Sequence, residues 1–401
     1  MLTVALFTHS ARPSGAELFI LRIASAMHTV RPLVVLGEHG PMEEHLSARG
    51  VETLVLPLPP ELTEPANLRT RARAPRRAWH YARELGEALR HAGVDVLYTH
   101  SAKAHLLGGL AGRLTRIPVV SHAHDLLGPP ARGRLGSAIS RGIFAVLPQR
   151  RIANSDLTRR SAGWASRLPW EIVPCPVELP LRRAAPRRRG QEDGLSLLVL
   201  GRLTEWKGQD LAIRALASVL RSGRNATLDL VGDAQFAGDV DYRSSLEELA
   251  RSLGVSERVR FRGHSDDPGA ALRQADIVLH TSLRPEPFGQ VVLEAMAEGR
   301  ATIVADSAGV VERLTPGGDC LIYSMGDADA LASAIATLID SPSERKRLGR
   351  AARWTAEEFT SQQVVPLIER ALHGSWQQVP TGGRSAGTAT LTTTDTLLKF
   401  K

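Results

Sequence analysis

The strongest constraint on this chain is a rhythm: short runs of leucine and β-branched residues alternate with longer amphipathic stretches. TVALF (3–7), PLVVL (32–36), DVLY (95–98), PVVS (118–121), LSLLVL (195–200), TLDLV (227–231), VRFRG (259–263), DIVLH (276–280) and ATIVA (301–305) read as strands. Most are apolar throughout and lack the alternation of a sheet with one wet face, so both of their faces must be covered. Between them, helical spacing of apolar residues runs through segments such as ELFILRIASAM (17–27), DLAIRALASVLRSG (210–223) and VDYRSSLEELARSLG (240–254). Buried strands alternating with helices specify an α/β fold built on parallel sheets.

The rhythm breaks once. Residues 174–194 hold Pro174, Pro176, Pro180 and Pro186 with five arginines and no usable period, and a fresh strand then begins. A chain of 401 residues exceeds one typical domain and suits two. The expected division is a doubly wound domain over 1–180, a linker over 181–194 and a second doubly wound domain over 195–360. A helix over 361–374, containing Pro366, would pack back on the first domain. The Thr/Gly/Ser-rich tail, 375–401, has too little to bury and is expected to be disordered.

Charge divides near the same point. Residues 1–190 carry 27 Lys and Arg against 14 Asp and Glu, and the remainder carry 23 against 28, so +13 and −5 sum to the net +8. The basic half suits an anionic ligand or surface, although an arginine-rich composition alone produces the same excess. Cys175 and Cys320 are too few and too far apart for a disulfide framework or a cysteine metal cluster, which points to a reducing cytoplasm. No apolar run approaches the roughly 18–20 residues that span a bilayer. MLTVALF has no preceding cation and reads as a first strand rather than a leader. Aromatic residues are only 4% of the chain and no nucleic-acid module is present, so no nucleic-acid partner is expected.

In open parallel sheets, ligands bind beyond the carboxyl ends of strands, where loops run into helices. After LSLLVL comes GRLTEWKGQDLAIRA (201–215), in which Gly201 permits a tight turn and Arg202 and Lys207 precede a helix starting near Gln209. Two cations at a helix N-terminus suit a pyrophosphate; the same pair also reads as ordinary surface charge. After DIVLH comes a loop with Glu286, then a helix of roughly Gly289–Glu298 closed by Gly299. Glu286 and Glu294, with seven residues between them, can meet one elongated ligand only if Glu286 lies in the loop. Otherwise Glu286 complements the helix dipole and Glu294 is a solvated helix residue. ATIVA leads to a small-residue turn and Glu312. In the first half, Ser14-Gly15 opens a helix after the first strand, and His122, His124 and Asp125 follow PVVS. His124 could transfer a proton or hydrogen-bond a ligand hydroxyl. A third metal ligand at sensible spacing is missing, so no metal is expected. Asp239-Val240-Asp241 falls at a helix start and reads as capping rather than a metal–nucleotide motif. The chain has no GxxxxGK[ST] or HExxH and no GxGxxG after its first strand; its one GxSxG match, GRSAG (383–387), falls in the Thr/Gly/Ser-rich tail rather than between a strand and a helix.

Taken together, SLRPEPFGQVVLEAMAEGRATIVADSAGVVE (282–312) resembles the donor-site signature of glycosyltransferase family 4, whose members are retaining enzymes of the GT-B fold. GRLTEWKGQDLAIRA is similar to that family's pyrophosphate-binding segment, and GAELFILRIASAM and SHAHDLL match looser patterns in the right order. The resemblance covers roughly residues 3–373. It implies two Rossmann-like domains facing each other across a cleft. It also implies transfer of a hexose-type sugar from a nucleotide-diphosphate donor to a hydroxyl of a glycan, lipid-linked glycan or small molecule, with retention, no divalent metal and no cofactor. By residue, it implies that Arg202 and Lys207 bind the donor pyrophosphate after the turn at Gly201. Glu286 would meet the sugar, amides near Phe288 and Gly289 would seat sugar and phosphate, and Glu294 would hold the ribose. Gly15 would allow close approach to the reacting centre, with His124 beside the transferred sugar. Three positions depart from the pattern: Pro174-Cys175-Pro176 replaces Asn-Gly, Ala308-Gly309 replaces Gly-Gly, and Ser14-Gly15 replaces paired glycines. None removes a charged group. A silent sugar-nucleotide-binding protein and a nucleotide-sugar epimerase are the alternatives on the same fold.

The segment LRTRARAPRRAWHYARELGEALRHAG (68–93) joins many arginines to Trp79 and Tyr81 before an amphipathic helix. This suits adsorption to anionic lipid, or equally a solvated helix with one buried stripe. The expected setting is cytoplasmic polysaccharide or cell-envelope synthesis, with peripheral contact to the inner face of the cell membrane.

Overall fold

Five consecutive residues of the first strand, Val4 to Thr8, are buried, which leaves that strand no wet face. The computed structural model describes residues 1–63, 68–129, 133–180, 194–234, 237–265 and 267–377. The expected linker (all but Gly194) and the tail from 378 lie outside them.

The first half forms a seven-stranded sheet from β1 (Leu2–Thr8), β2 (Val30–Leu36), β3 (Glu52–Val55), β4 (Val96–Thr99), β5 (Val119–Ala123), β6 (Arg150–Ala153) and β7 (Glu171–Ile172). Its order is β3-β2-β1-β4-β5-β6-β7, and every pairing is parallel. Its helices are α1 (Gly15–Ala24), α2 (Met42–Ser47), α3 (Pro60–Thr63), α4 (Leu68–His91), α5 (Ala102–Thr115), α6 (Gly133–Val146) and α7 (Asp156–Ser161). Alternate side chains of β1 serve opposite faces, as the two-residue period requires. Val4 and Leu6 pack with Phe19, Ile20 and Ile23 of α1, whereas Ala5 and Phe7 pack with Tyr81 and Leu85 of α4.

The second half repeats the design with β8 (Leu195–Leu200), β9 (Ala226–Val231), β10 (Val259–Gly263), β11 (Ile277–His280), β12 (Ala301–Ala305) and β13 (Leu321–Tyr323), ordered β10-β9-β8-β11-β12-β13. Its helices are α8 (Gln209–Arg221), α9 (Ala237–Ser252), α10 (Pro268–Gln274), α11 (Gln290–Ala297), α12 (Ala328–Asp340) and α13 (Pro342–Glu357), followed by α14 (Ser361–Gln377). Two doubly wound domains therefore face each other, the fold class expected from the rhythm of the sequence. β3, β6, β7 and β13 have no counterpart in the sequence reading. β7 and β13 have two and three residues, β6 opens on two arginines, and β3 opens on an exposed glutamate with no buried residue, so none presents an unbroken buried run.

The chain crosses between domains twice, and the crossings pair: Val177 N–H donates to Phe359 O at 2.8 Å. After the second crossing, α14 lies against β4 and β5 of the first domain. Pro366 sits within this helix, which continues three residues past the expected end at 374. Glu369, 6% exposed, accepts the backbone N–H groups of His28 and Thr29 at 2.8 Å each, closing the turn between α1 and β2. Two amides of exposed turn residues thus depend on one buried carboxylate. Glu369→Ala is expected to lower the unfolding free energy by about 3 kcal/mol, as befits two charge-assisted bonds lost together, measurable by urea denaturation.

Candidate active site

In each sheet the strand order reverses direction at one place, between β1 and β4 and between β8 and β11. Helices following neighbouring strands there leave to opposite faces, and a crevice opens at the strands' carboxyl ends. The two crevices face each other. Their shared cleft, about 300 Å³, is lined by Gly15, His100 and His124 from the first domain and by Trp206, Glu286, Phe288 and Gly289 from the second.

On the second-domain side, the loops after β8 and β11 meet. Lys207 Nζ donates to both Glu286 oxygens at 2.8 Å. His280 Nε2 lies 2.9 Å from Glu286 Oε2, and Ser282 Oγ donates to the same oxygen at 2.6 Å. Burial alone would raise the Glu286 carboxyl. Lys207 and His280, through charge and hydrogen bonds, outweigh it and hold the group well below the usual carboxylate range. Lys207 also lies 4.4 Å from the centre of the Trp206 ring. Gly208 makes the approach possible: its φ is +66°, and a Cβ there would stand 2.1 Å from Thr281 O. Arg202 is half-buried on the same loop, and its carbonyl accepts from Gln209 Nε2 at 2.7 Å, tying the turn after Gly201 to the start of α8.

Glu286 is in the loop, as a shared ligand would require. Its amide donates to Ser307 O at 3.1 Å and its carbonyl accepts from Gly309 N at 3.0 Å, so the β12 turn holds it from behind. Gly309 is the indispensable member of the Ala308-Gly309 pair, because a Cβ there would stand 2.1 Å from Pro287 O. Gly289, at φ +93°, caps α11 with no side chain, and its helix begins at the cleft. Glu294, a turn into α11, has different partners. Its carboxylate takes Arg22 Nη2 of α1 at 2.7 Å, while Arg22 Nη1 donates to Pro176 O at 3.1 Å. The two glutamates thus have separate environments, one within its domain and one across the domain interface.

On the first-domain side, Gly15 opens α1 with nothing within 4 Å of where a Cβ would be, so its backbone stands bare to the cleft. Behind it, Glu17 is 2% exposed and accepts from Thr8 Oγ1 at 2.6 Å and from Ser14 Oγ. His124 Nε2 is 3.1 Å from His100 Nδ1, and His122 Nδ1 is 2.7 Å from Tyr98 Oη. Burial holds His124 down to about 3, and burial first, then the neighbouring imidazoles, keeps His100 and His122 well below their ordinary value. All three rings are neutral at pH 7. His100 is the third imidazole that sequence spacing lacked: ligand atoms of His100, His122 and His124 lie within 4.8 Å of one another. It directly follows the adjacent strand β4, a neighbour that spacing along the chain does not show. The Asp239-Val240-Asp241 triplet falls in the first turns of α9.

Side chains also join the domains. Glu312 accepts the amides of Asp156 and Leu157 at 2.7 Å each and Arg160 at 3.0 Å, so it caps α7 from the opposite domain. Ser155 Oγ donates to Pro287 O at 2.5 Å, beside the Glu286 loop. Sequence reasoning singled out Glu312 without this role, and missed Arg22, Glu17, His100, His280 and Ser282 altogether. Only His280, closing the DIVLH strand, carried a local signal.

Two parallel-sheet domains meeting over a cleft have the architecture of the GT-B fold. The chain belongs to glycosyltransferase family 4: residues 13–180 match "Glycosyltransferase Family 4" and residues 183–355 match "Glycosyl transferases group 1". It is 30% identical over 298 residues to phosphatidyl-myo-inositol mannosyltransferase of Mycobacterium leprae, covering 72% of this chain and 75% of the relative. It is likewise 30% identical over 323 residues to D-inositol 3-phosphate glycosyltransferase of Kribbella flavida, covering 74% and 73%. The structure of Anabaena Alr3699/HepE in complex with UDP superimposes with a TM-score of 0.78 at 26% identity, over 93% of this chain and all of that one.

Because Glu286 is held below its unfolded value, its contribution to stability is complete above the ordinary carboxylate range and is lost as pH falls through the depressed value. Lys207→Met removes the main opposing charge, so the acid-unfolding limb should move to higher pH. Circular dichroism followed from pH 7 downward reads the shift; an unmoved limb would contradict this account of the carboxylate.

Proposed function

We propose that the protein transfers a hexose-type sugar from a nucleoside-diphosphate donor to a hydroxyl of a lipid-linked or glycan acceptor, with retention and without a metal. The observation that carries this reading is the Lys207–Glu286–His280 cluster beside the start of α11, facing Gly15 and His124 across the cleft. The complexes of the Anabaena protein with UDP and with UDP-glucose support a UDP-hexose as the first donor to test. Relatives named for transfer to phosphatidyl-myo-inositol and inositol phosphate support a hydroxyl acceptor carried on a polar headgroup.

The chemistry follows from the charges. As the bond between the sugar C1 and the diphosphate oxygen breaks, negative charge grows on the leaving group. In this reading Lys207, Arg202 and the first amides of α11 stabilise it, and fixed charges in a cleft need no reorganisation as the bond breaks. Lys207 has three N–H donors and gives two to Glu286, which leaves one for a phosphate oxygen. Glu286 takes hydroxyls of the sugar, and Glu294 those of the ribose. The acceptor oxygen bonds to C1 on the face the diphosphate leaves, and its proton passes to the departing phosphate. An imidazole held down to about 3 is a poor base, so His124 hydrogen-bonds the sugar rather than taking that proton.

A thermal-shift screen against nucleoside diphosphates and their sugars tests the donor, since a ligand that binds only the folded state raises the midpoint. Arg202→Ala and Lys207→Ala should each weaken the donor and the free nucleoside diphosphate together, by roughly tenfold or more for a lost charged contact. Glu294→Ala should weaken nucleotide binding, and Glu286→Ala should mainly lower kcat; identical behaviour would refute the division of roles. Chelator should leave turnover unchanged. A donor that binds but never releases nucleoside diphosphate across an acceptor panel would favour a silent binding protein, and conversion of the donor sugar alone would favour an epimerase.

A further inference from the structure

The stretch that suggested a membrane from sequence, 68–93, folds as α4 and hides its apolar stripe. Tyr81, Ala82, Leu85 and Leu89 are buried, and Tyr81 donates to Leu56 O at 2.8 Å. Trp79 is exposed, and Arg73, Arg76 and Arg77 line a groove beside it. The outer face of α4 thus offers charge and little greasy surface.

α6 is the reverse. Leu135, Ile139 and Val146 are 75%, 54% and 59% exposed. Steps of four and seven residues place them on one line along the helix, while Ser137 and Phe144 turn inward. Trp164, 57% exposed, stands on the turn Gly163–Arg167 that packs against α6. A single exposed leucine is ordinary, but a line of large aliphatic groups beside a tryptophan marks an interaction surface.

The charge around it names the partner. Residues 126–170 contain eight arginines and one acid, Asp156, and α6 has no acid. Arg150, Arg159 and Arg160 are paired with Glu171, Asp156 and Glu312, and Arg141 and Arg151 donate to backbone carbonyls. Arg134, in the first turn of α6, and Arg167, the last residue of the Gly163–Arg167 turn, are exposed. No described helix is long and apolar enough to cross a membrane. An apolar line with a basic border on a helix of 14 residues is suited to lie in the headgroup region of an anionic bilayer. A second copy of the chain fits less well, since a two-fold contact would set this basic face against itself. The inner side of α6 adds direction. Ser140, Ile143 and Phe144 line a small pocket with His100, His124 and Asp125, next to the cleft.

We propose that the outer face of α6, with Trp164, docks on an anionic lipid bilayer and presents the His124 side of the cleft to an acceptor held in that bilayer. The acceptor clause rests on the transferase reading given above; the docking does not.

Flotation with phosphatidylcholine vesicles, with and without phosphatidylglycerol, tests it. The full chain should float with the anionic vesicles and less so at high salt. Leu135→Ser combined with Ile139→Ser should weaken this at least about tenfold, because two large aliphatic groups lose their burial. Thermal stability and turnover on a water-soluble acceptor should not change. Arg134→Glu with Arg167→Glu should also weaken flotation, whereas Arg73→Glu with Arg76→Glu on α4 should do so much less. Flotation unaffected by the α6 changes, or no flotation of the wild-type chain, overturns the proposal. So does a lipid-free dimer that the α6 changes dissociate, since a second copy would then cover the face. Normal flotation with no donor turnover would overturn the transferase reading and leave the docking intact.

Discussion

A carboxylate removed from water must be neutralised where it sits, and Glu286 is the place where this chain meets that demand. Its side chain is 13% exposed, and it is held by Lys207, His280 and Ser282. Lys207 and Glu286 are far apart in the chain, yet the loops that carry them are neighbours because β8 and β11 pair at the centre of the sheet. Every other feature of that side serves the approach. Gly208 lets one loop pass close to Thr281, and the Ser307 and Gly309 backbone fixes the other. The result is charge oriented before any ligand arrives, which is what stabilising a departing diphosphate demands.

The same logic joins the two domains. Glu294 meets Arg22, Glu312 caps α7, and Ser155 holds Pro287, so acidic or polar groups of one domain complete hydrogen bonds of the other. Glu369 does so again from α14, which belongs to the second half in sequence and packs on the first in space. The neutral imidazoles across the cleft differ in kind. Packed against Phe19 and one another, they offer hydrogen bonds rather than charge, whereas the Lys207–Glu286 pair belongs to the opposite domain.

The sequence disclosed features whose signal is local. Fully buried strands reveal themselves by unbroken apolar runs, whereas β3 has no buried residue, β6 opens on two arginines, and β7 and β13 have only two and three residues. Gly201 and Gly289 are turn and cap residues that chain position makes conspicuous, whereas the close approach that requires Gly208 shows only in the fold. Glu286 and Lys207 stand out because each lies between a strand and a helix. His100, Arg22 and Glu17 stayed hidden because nothing near them in the chain marks their partners, which come from another strand or the other domain.

By itself, then, the sequence determined the α/β class, the two-domain division and which loops could carry charge, because periodicity and turn chemistry are properties of neighbouring residues. Only the tertiary structure decided which charges meet and which apolar stripes stay uncovered. α4 and α6 make the distinction plain. Both are amphipathic in sequence, yet α4 buries its stripe against β1, β2 and α5 while α6 leaves Leu135, Ile139 and Val146 in water. Amphipathic spacing says that a helix has an apolar side; the packing of the remaining elements says whether anything covers it.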